Sequence, residues 1–509
     1  MKMSAKCICQ IAVISVLALV SSCTVGPNFH RPEVPTKAGY TTQPLTSTSS
    51  ADVAGGEEQR FVSGMDIPKQ WWALFESPPL NSLIEKAIKT NPTIDSAKAA
   101  LRQAHENVAA QRGLFYPTVQ ANGSASGQKN ATETIAPTLT SGEAYFSLYT
   151  AQLTVSYMPD VFGLNRRQVE SLAALAEFQL FQLEAAYLTL TSNVAAAAVQ
   201  EASLRAQIAA THRIIEVATQ LLDTQRRHLA LGSATGLDVA AQEAALAQVK
   251  ASLPPLEKQL ALTRDLLTAL AGRFPSEEMQ ETFDLDALRL PRELPLSLPS
   301  KLVEQRPDVR AAEAQWHSAS ALVGVAVANM LPQISITGNM GGTSTQISQL
   351  FVPGNTFYGF TGNLTQTIFD AGTLLHKKRA AEAGLDQAAA QYRSTVINAF
   401  QNVADALHAL EADANALKAA VDAERAAKRT LDLTRRQLEL GYVNLPTMLI
   451  AEQAWQQSVI NLAQARANRF ADSAALFMAL GGGWWNRAGD ACANNRADHS
   501  MPNLSGNNP

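Results

Sequence analysis

RRQVESLAALAEFQLFQLEAAYLTLTSNVAAAAVQEASLRAQIAATHRIIEVATQLLDTQRRHLAL, residues 166–231, contains no glycine and no proline. Ala, Leu, Gln, Glu and Arg dominate it, and all are good or fair helix formers. At 1.5 Å per residue one helix of this length extends roughly 100 Å. Globular helices average about 11–12 residues, so a compact domain has no use for such a rod. An uncapped run this long points to a coiled coil, a membrane span or a helical repeat. Glu170, Glu177, Glu184, Glu201, Arg205 and Arg213 interrupt it and exclude a span.

The chain repeats the device. Residues 373–440 hold no proline and a single glycine, Gly384. The two rods end alike: Leu222-Asp223, Arg226-Arg227, Leu229, Leu231 and Gly232 recur as Leu431-Asp432, Arg435-Arg436, Leu438, Leu440 and Gly441, at an offset of 209. Upstream, Pro92, Ala97, Ala99, Ala104, Val108, Pro117 and Gly123 recur as Pro307, Ala312, Ala314, Ala319, Val323, Pro332 and Gly338, at an offset of 215. The chain therefore reads as two copies of one unit. The first copy is the longer between Gly123 and Asp160.

Each copy changes its period from 3.6 to 2 before the rod. Val119, Ala121 and Gly123, then Ala151, Leu153, Val155 and Tyr157, alternate with polar residues. So do Ile334, Ile336, Gly338 and Met340, with a return strand from Phe357 to Phe369 that puts Tyr358, Phe360, Leu364 and Ile368 on one face. These are two hairpins, at about 117–160 and 332–369. Strands of about 9–11 residues with alternating polarity suit a membrane barrel. Four strands cannot close around a pore, and open edges are not tolerated in lipid. Other copies of the chain must complete the barrel. Eight strands are filled by their own side chains, so three copies, twelve strands, are the smallest open assembly.

After each rod comes a tight turn, 232–236 or 441–446, and a returning helix. The first return is expected as Asp238 to Leu253, a break at Pro254-Pro255, then Leu256 to Ala271; the second runs from Thr447 to Leu480. Ile215, Leu222 and Leu229, and Leu431 and Leu438, have the heptad spacing of a coiled coil. Helices at Leu80 to Lys89, Thr93 to Arg112 and Lys301 to Met330 complete the set, the last two stacked end to end with the returns. The expected organisation is a signal peptide over 1–22, a tether over 23–70 without a core of its own, and a first repeat over 71–275 in which Trp71-Trp72 begins the order. A linker over 276–300, a second repeat over 301–485 and a polar disordered tail over 486–509 follow.

Lys2 and Lys6 precede an apolar stretch, Ile8 to Val20, that ends Leu19-Val20-Ser21-Ser22-Cys23. Small residues before a cysteine resemble the bacterial lipobox, which implies cleavage before Cys23 and acylation of its thiol and new amino group. An ordinary signal peptide with a chance cysteine is the competing reading. More than one acyl chain makes a stable anchor. The mature chain keeps Cys23 and Cys492, so an acylated Cys23 leaves no internal disulfide. A net charge of −4 gives no case for nucleic acid. The eight His lack metal-ligand spacing, and Gly481-Gly-Gly lacks the lysine of a phosphate loop. The expectation is no enzyme and no cofactor beyond the lipid.

Cys23-Thr-Val-Gly-Pro-Asn-Phe, Trp71-Trp72-Ala-Leu-Phe75, Asn91-Pro92, Tyr116-Pro117, Asp160-Val-Phe-Gly163, Arg306-Pro307-Asp308-Val309, Ile368-Phe369-Asp370-Ala-Gly372 and Ala479-Leu-Gly-Gly-Gly-Trp484 run in order through the chain. Together they resemble an outer-membrane factor of the TolC family, in its NodT/OprM-like lipoprotein branch. The resemblance implies a mainly α fold with a membrane β-barrel: a homotrimer with one twelve-stranded barrel and a coiled-coil tunnel, lipid-anchored in the outer membrane of a Gram-negative bacterium. It implies a periplasmic adaptor and an inner-membrane pump, of RND type, as partners, and small toxic compounds or drugs as cargo. The tip residues Gly232, Ser233, Thr235, Gly236, Leu237, Gly441 and Tyr442 would dock the adaptor, although the glycines also read as helix caps. Asp238, Thr447 and Ile450 are gate candidates. Asp238 reads equally as a helix N-cap, and Thr447 and Ile450 stand where the family commonly carries acids. Asp160 and Asp370 read as caps where strand becomes helix. A conduit for type I protein secretion and a coiled-coil scaffold without a pore are the rival functions.

Overall fold

The structure is a computed structural model that describes residues 24–32, 39–43, 45–129, 145–277 and 279–487. Cys23, Cys492 and nearly all of the tail lie outside the described residues. In chain order the elements are β1 (Arg60–Ser63), α1 (Pro78–Thr90), α2 (Pro92–Gly113), β2 (Thr118–Lys129), β3 (Tyr145–Tyr157), α3 (Leu164–Ala230), α4 (Gly236–Leu270), β4 (Glu293–Leu296), α5 (Pro299–Gln305), α6 (Pro307–Ala328), β5 (Gln333–Ser344), β6 (Thr356–Thr365), α7 (Thr373–Glu439) and α8 (Leu445–Ala479). No described helix is long and apolar enough to cross a membrane. Two compact units divide the chain.

The first unit holds residues 100–179 and 312–392 and the start of the chain. Its centre is an antiparallel sheet in the order β2-β3-β5-β6. The register aligns Val119 with Val155 and Gly338, and Gly338 with Phe360. Because side chains alternate, one face carries Val119, Leu153, Val155, Met340, Tyr358, Phe360 and Leu364, all exposed. The other carries Gln120, Asn122, Ser124, Gln152, Thr154, Thr337, Asn339, Thr361 and Asn363. Lys129, at the end of β2, is the one charged residue in the four strands. The return strand stops at Thr365, short of the Phe369 expected: its last partner is Gln333, and Pro332 before that cannot donate to a ladder.

In the same unit the start of the chain lies along α6. Val25 donates its N–H to the Phe162 carbonyl. Arg167, 3% exposed, donates to the carbonyls of Val25 and Gly26 and to Asn28 Oδ1. Phe29 stacks on His317 and meets Trp316 edge-on. A Cβ on Gly26 would stand 2.3 Å from the Cα of Gly324, so the approach is possible only with glycine there.

The second unit contains the remaining parts of α3 and α7 with α4 and α8. Here residues 45–70, expected as an extended tether, are found ordered against the rest of the unit. β1 pairs in parallel with β4, and Ser47 bridges to Arg60. Arg469 on α8 is fully buried. It donates to Thr48 Oγ1, Gln59 Oε1 and the carbonyls of Ser49 and Glu57. The segment has no core of its own; buried Arg469 satisfies several of its polar groups, Arg466 donates to the Ala54 carbonyl and Arg425 to Asp52. Trp71 stacks on Phe477 at 5.4 Å, and Leu80, Leu83, Ile84 and Ala87 bury the inner face of α1.

Two helix expectations are also corrected. α4 runs unbroken through Pro254 and Pro255. Each proline forfeits one i→i−4 bond, but the freed carbonyls belong to Lys250 and Ala251, both exposed, where water can donate to them. The helix expected over 301–330 is instead α5 and α6, broken at Arg306 with ψ +124. Pro307 pushes the preceding residue out of the helical region. At the other end of the chain, Asn486 donates to Asp66 Oδ2 and to the Ile67 carbonyl, so order extends past 485.

Arg469→Met should therefore release the 45–60 segment. Each stranded buried acceptor costs about 1–3 kcal/mol, so a loss of ~3 kcal/mol or more is expected in chemical denaturation, with new protease cuts in that segment. Unchanged cutting would show that the contacts are incidental.

Candidate functional site: helix tips, caps and buried charges

Both rods end in the same motif. Gly232 (φ 72) and Gly441 (φ 77) are left-handed, and a Cβ on either would meet nothing within 4 Å, so conformation and not space selects glycine. Gly232 N–H donates to the Leu229 carbonyl and Ser233 N–H to His228; Gly441 donates to Leu438 and Tyr442 to Gln437. These paired bonds form a Schellman motif at each tip. Leu231, Leu237, Leu440 and Tyr442 project around the turns, between 70% and 81% exposed.

The helices restart with caps. Thr235 is the N-cap of α4: its hydroxyl accepts from Asp238 N–H, and the Asp238 carboxylate accepts from Thr235 N–H, a complete capping box. Asp238 is thus not the N-cap itself but its partner three residues on. The backbone N–H of Thr235, first, holds its carboxyl below the usual range, helped by the Thr235 hydroxyl. In the second copy Asn444 caps α8 and accepts from the backbone and hydroxyl of Thr447. Ile450 is 70% exposed. It lines a groove of about 280 Å³ between α3, α4 and α8 together with Gln242 and Glu452, whereas Asp238 and Thr447 do not line that groove.

Where strand becomes helix, Asp160 accepts from the N–H groups of Asn165 and Arg166. Asp370 accepts from those of Gly372 and Leu374. Both carboxylates satisfy N–H groups that the helix leaves free.

Sequence reasoning missed the buried charges. Arg226 pairs with Glu243 at 2.8 Å near the first tip, and both are exposed. Their equivalents 209 residues on, Arg435 and Glu452, approach only to 3.8 Å, and Glu452 is buried. Burial pushes the Glu452 carboxyl up, and Arg435 opposes this. The repeat at offset 209 pointed to the pair but carries no information on burial. Asp472 on α8 is pushed up to about 7, first by burial and then by a hydrogen bond and repulsion from Asp413 on α7. With Asp308, Asp405 and Arg306 it lines a cavity of about 540 Å³.

The outer membrane efflux protein model matches residues 83–273 and 298–482, one segment in each repeat. The chain belongs to the outer membrane efflux protein family. Among its relatives, the toluene efflux pump outer membrane protein TtgC of Pseudomonas putida is 28% identical over 478 residues, covering 93% of this chain and 95% of that one. The solved outer-membrane channel OprN superposes with a TM-score of 0.81 at 26% identity, over 91% of this chain and all of that one. The open-state MtrE outer membrane channel of Neisseria gonorrhoeae does so with 0.77 at 26%, over 92% and 100%. The chain is an efflux protein of the Gram-negative outer membrane, and the family accounts for its mainly helical fold.

Two outcomes follow from the geometry. Thr235→Ala should cost about 1 kcal/mol, the usual worth of an N-cap, and fray α4 at its start in hydrogen exchange; unaltered exchange there would refute the box. Asp472 keeps its proton in the fold well above the ordinary carboxylate range. Its contribution to stability should therefore be fully present below about pH 4, fall as pH rises towards 7, and be lost above it. Asp472→Asn should flatten that slope in melts taken from about pH 4 to 8, and a slope that survives would assign it elsewhere.

Proposed function

We propose that three copies of this chain form the exit duct of a tripartite efflux system, passing small toxic compounds or drugs from an inner-membrane pump and a periplasmic adaptor across the outer membrane. The single observation that carries this reading is the four-stranded sheet. One face is apolar and the other polar, as lipid outside and water inside require. Its outer strands, β2 and β6, have no partner among the described residues. An unpaired edge is prohibitive in lipid, and copies meeting β6 to β2 would close twelve strands around an open lumen.

The adaptor docks at the tips in this reading, where Leu231, Leu237, Leu440 and Tyr442 present apolar side chains beside Gly232, Ser233, Thr235, Gly236 and Gly441. Asp238, Thr447 and Ile450, just past the turns, are the gate residues, and the RND class is the proposed pump. Lipid on Cys23 fits the position of Thr24, which packs on Gly163 between β3 and α3. A secretion conduit would share all of this geometry, but relatives such as the toluene efflux pump protein TtgC are named for efflux of small compounds, which favours small cargo.

Purified protein should run as a trimer in native mass spectrometry, carry an acylated N-terminal peptide and open channels in planar bilayers. A monomer that leaves the bilayer silent would refute the duct and favour a scaffold. A photoreactive residue at Ser233, and separately at Tyr442, should capture a periplasmic adaptor in cells; capture of sister subunits alone would sink the docking assignment.

A further inference from the structure

A second pocket, of about 290 Å³, lies in the second unit between the turn at Trp71–Phe75, α1, α3 and the last described turn of the chain. That volume is at the lower end of the range for small-ligand sites. Trp71, Trp72, Tyr187 and Trp484 line it. Glu184 on α3 lines it too, 7% exposed, and among the described residues its Oε2 has no hydrogen-bond partner. That oxygen is instead ion-paired with Arg487 Nη2 at 2.9 Å. The Arg487 guanidinium stands 4.3 Å above the centre of the Tyr187 ring.

The wall of the pocket thus already carries one organic cation, supplied by the chain. An aromatic face attracts a cation most where water is excluded, and a buried carboxylate must have a partner or take up a proton. Burial pushes the Glu184 carboxyl up, and Arg487 opposes that. Lys69, Glu85 and Lys89 stand exposed at the rim, where salt and water screen them. Glu184 is not screened in this way, so it decides which charge is bound.

We propose that the pocket formed by Trp71, Trp72, Tyr187 and Trp484 around Glu184 is a binding site for a lipophilic organic cation, and that Arg487 is its built-in occupant, displaced when such a ligand enters. A guanidinium is planar and weakly hydrated, which suits it to stacking on an aromatic ring. A ligand with delocalised or shielded charge shares that property and adds apolar area for the remaining space. An arginine that merely pins the end of the chain has the same contacts but makes the opposite prediction on its removal.

The test is isothermal titration of the purified full-length protein with tetraphenylphosphonium. Removing the occupant, in R487A, should tighten binding about tenfold over the unaltered protein. Adding Glu184→Gln to that variant should abolish the gain. R487Q, which keeps the size but not the charge, should behave as R487A does, and near-UV circular dichroism checks that each variant keeps its aromatic packing. Equal affinity in the presence and absence of Arg487, or binding that ignores Glu184→Gln, would overturn the proposal. Binding is read whether or not the protein conducts, so its failure is separate from failure of the duct.

Discussion

The structure depends on where backbone hydrogen bonds can be completed. Inside the rods they close locally, and length costs nothing. In the sheet they close between strands, and four strands leave two edges open. Water can satisfy such edges; hydrocarbon cannot. The sheet carries its apolar residues on one face and amides and hydroxyls on the other, so hydrocarbon is the solvent its apolar face is made for. In the proposed duct, assembly supplies the remaining hydrogen bonds.

The same need explains the two arginines that hold the beginning of the chain. Residues 24–32 and 45–60 have few apolar side chains and cannot fold by burial. Arg167 and Arg469 each offer several donors from one planar group and collect carbonyls that would otherwise lose water. A lysine has fewer donors and no fork. These segments are ordered by polar satisfaction on helices already packed, and their order is conditional on those helices.

Duplication sets the positions of residues and not their surroundings. Arg226 and Glu243 meet in solvent, where such a pair is worth little. Arg435 and Glu452 occupy the same places in the second copy, but there the glutamate is buried and the pair is loose. A buried pair without ideal geometry does not recover its desolvation. The caps diverge as well: Thr235 with Asp238 in one copy, Asn444 with Thr447 in the other. Both solve the same problem of free N–H groups, and only the first leaves a negative charge beside the tip.

Much of the architecture was legible because it rests on local rules. Absence of Pro, and of Gly save Gly384, marked both rods, Gly232 and Gly441 marked their ends, and alternation at Val119–Gly123 and Leu153–Tyr157 marked strands. Asp160 and Asp370 could be read as caps because a cap acts within a few residues. What tertiary structure alone decided was what each side chain is buried against. Nothing in the sequence set Arg469 apart, Pro254-Pro255 read as a break, and Glu184 read only as a charge that excludes a membrane span. Burial depends on partners hundreds of residues away, so no local pattern encodes it. The sequence by itself determined the rods, the hairpins, the returns and their duplication; the packing decided which charges are dry, which prolines are tolerated and how the start of the chain is held.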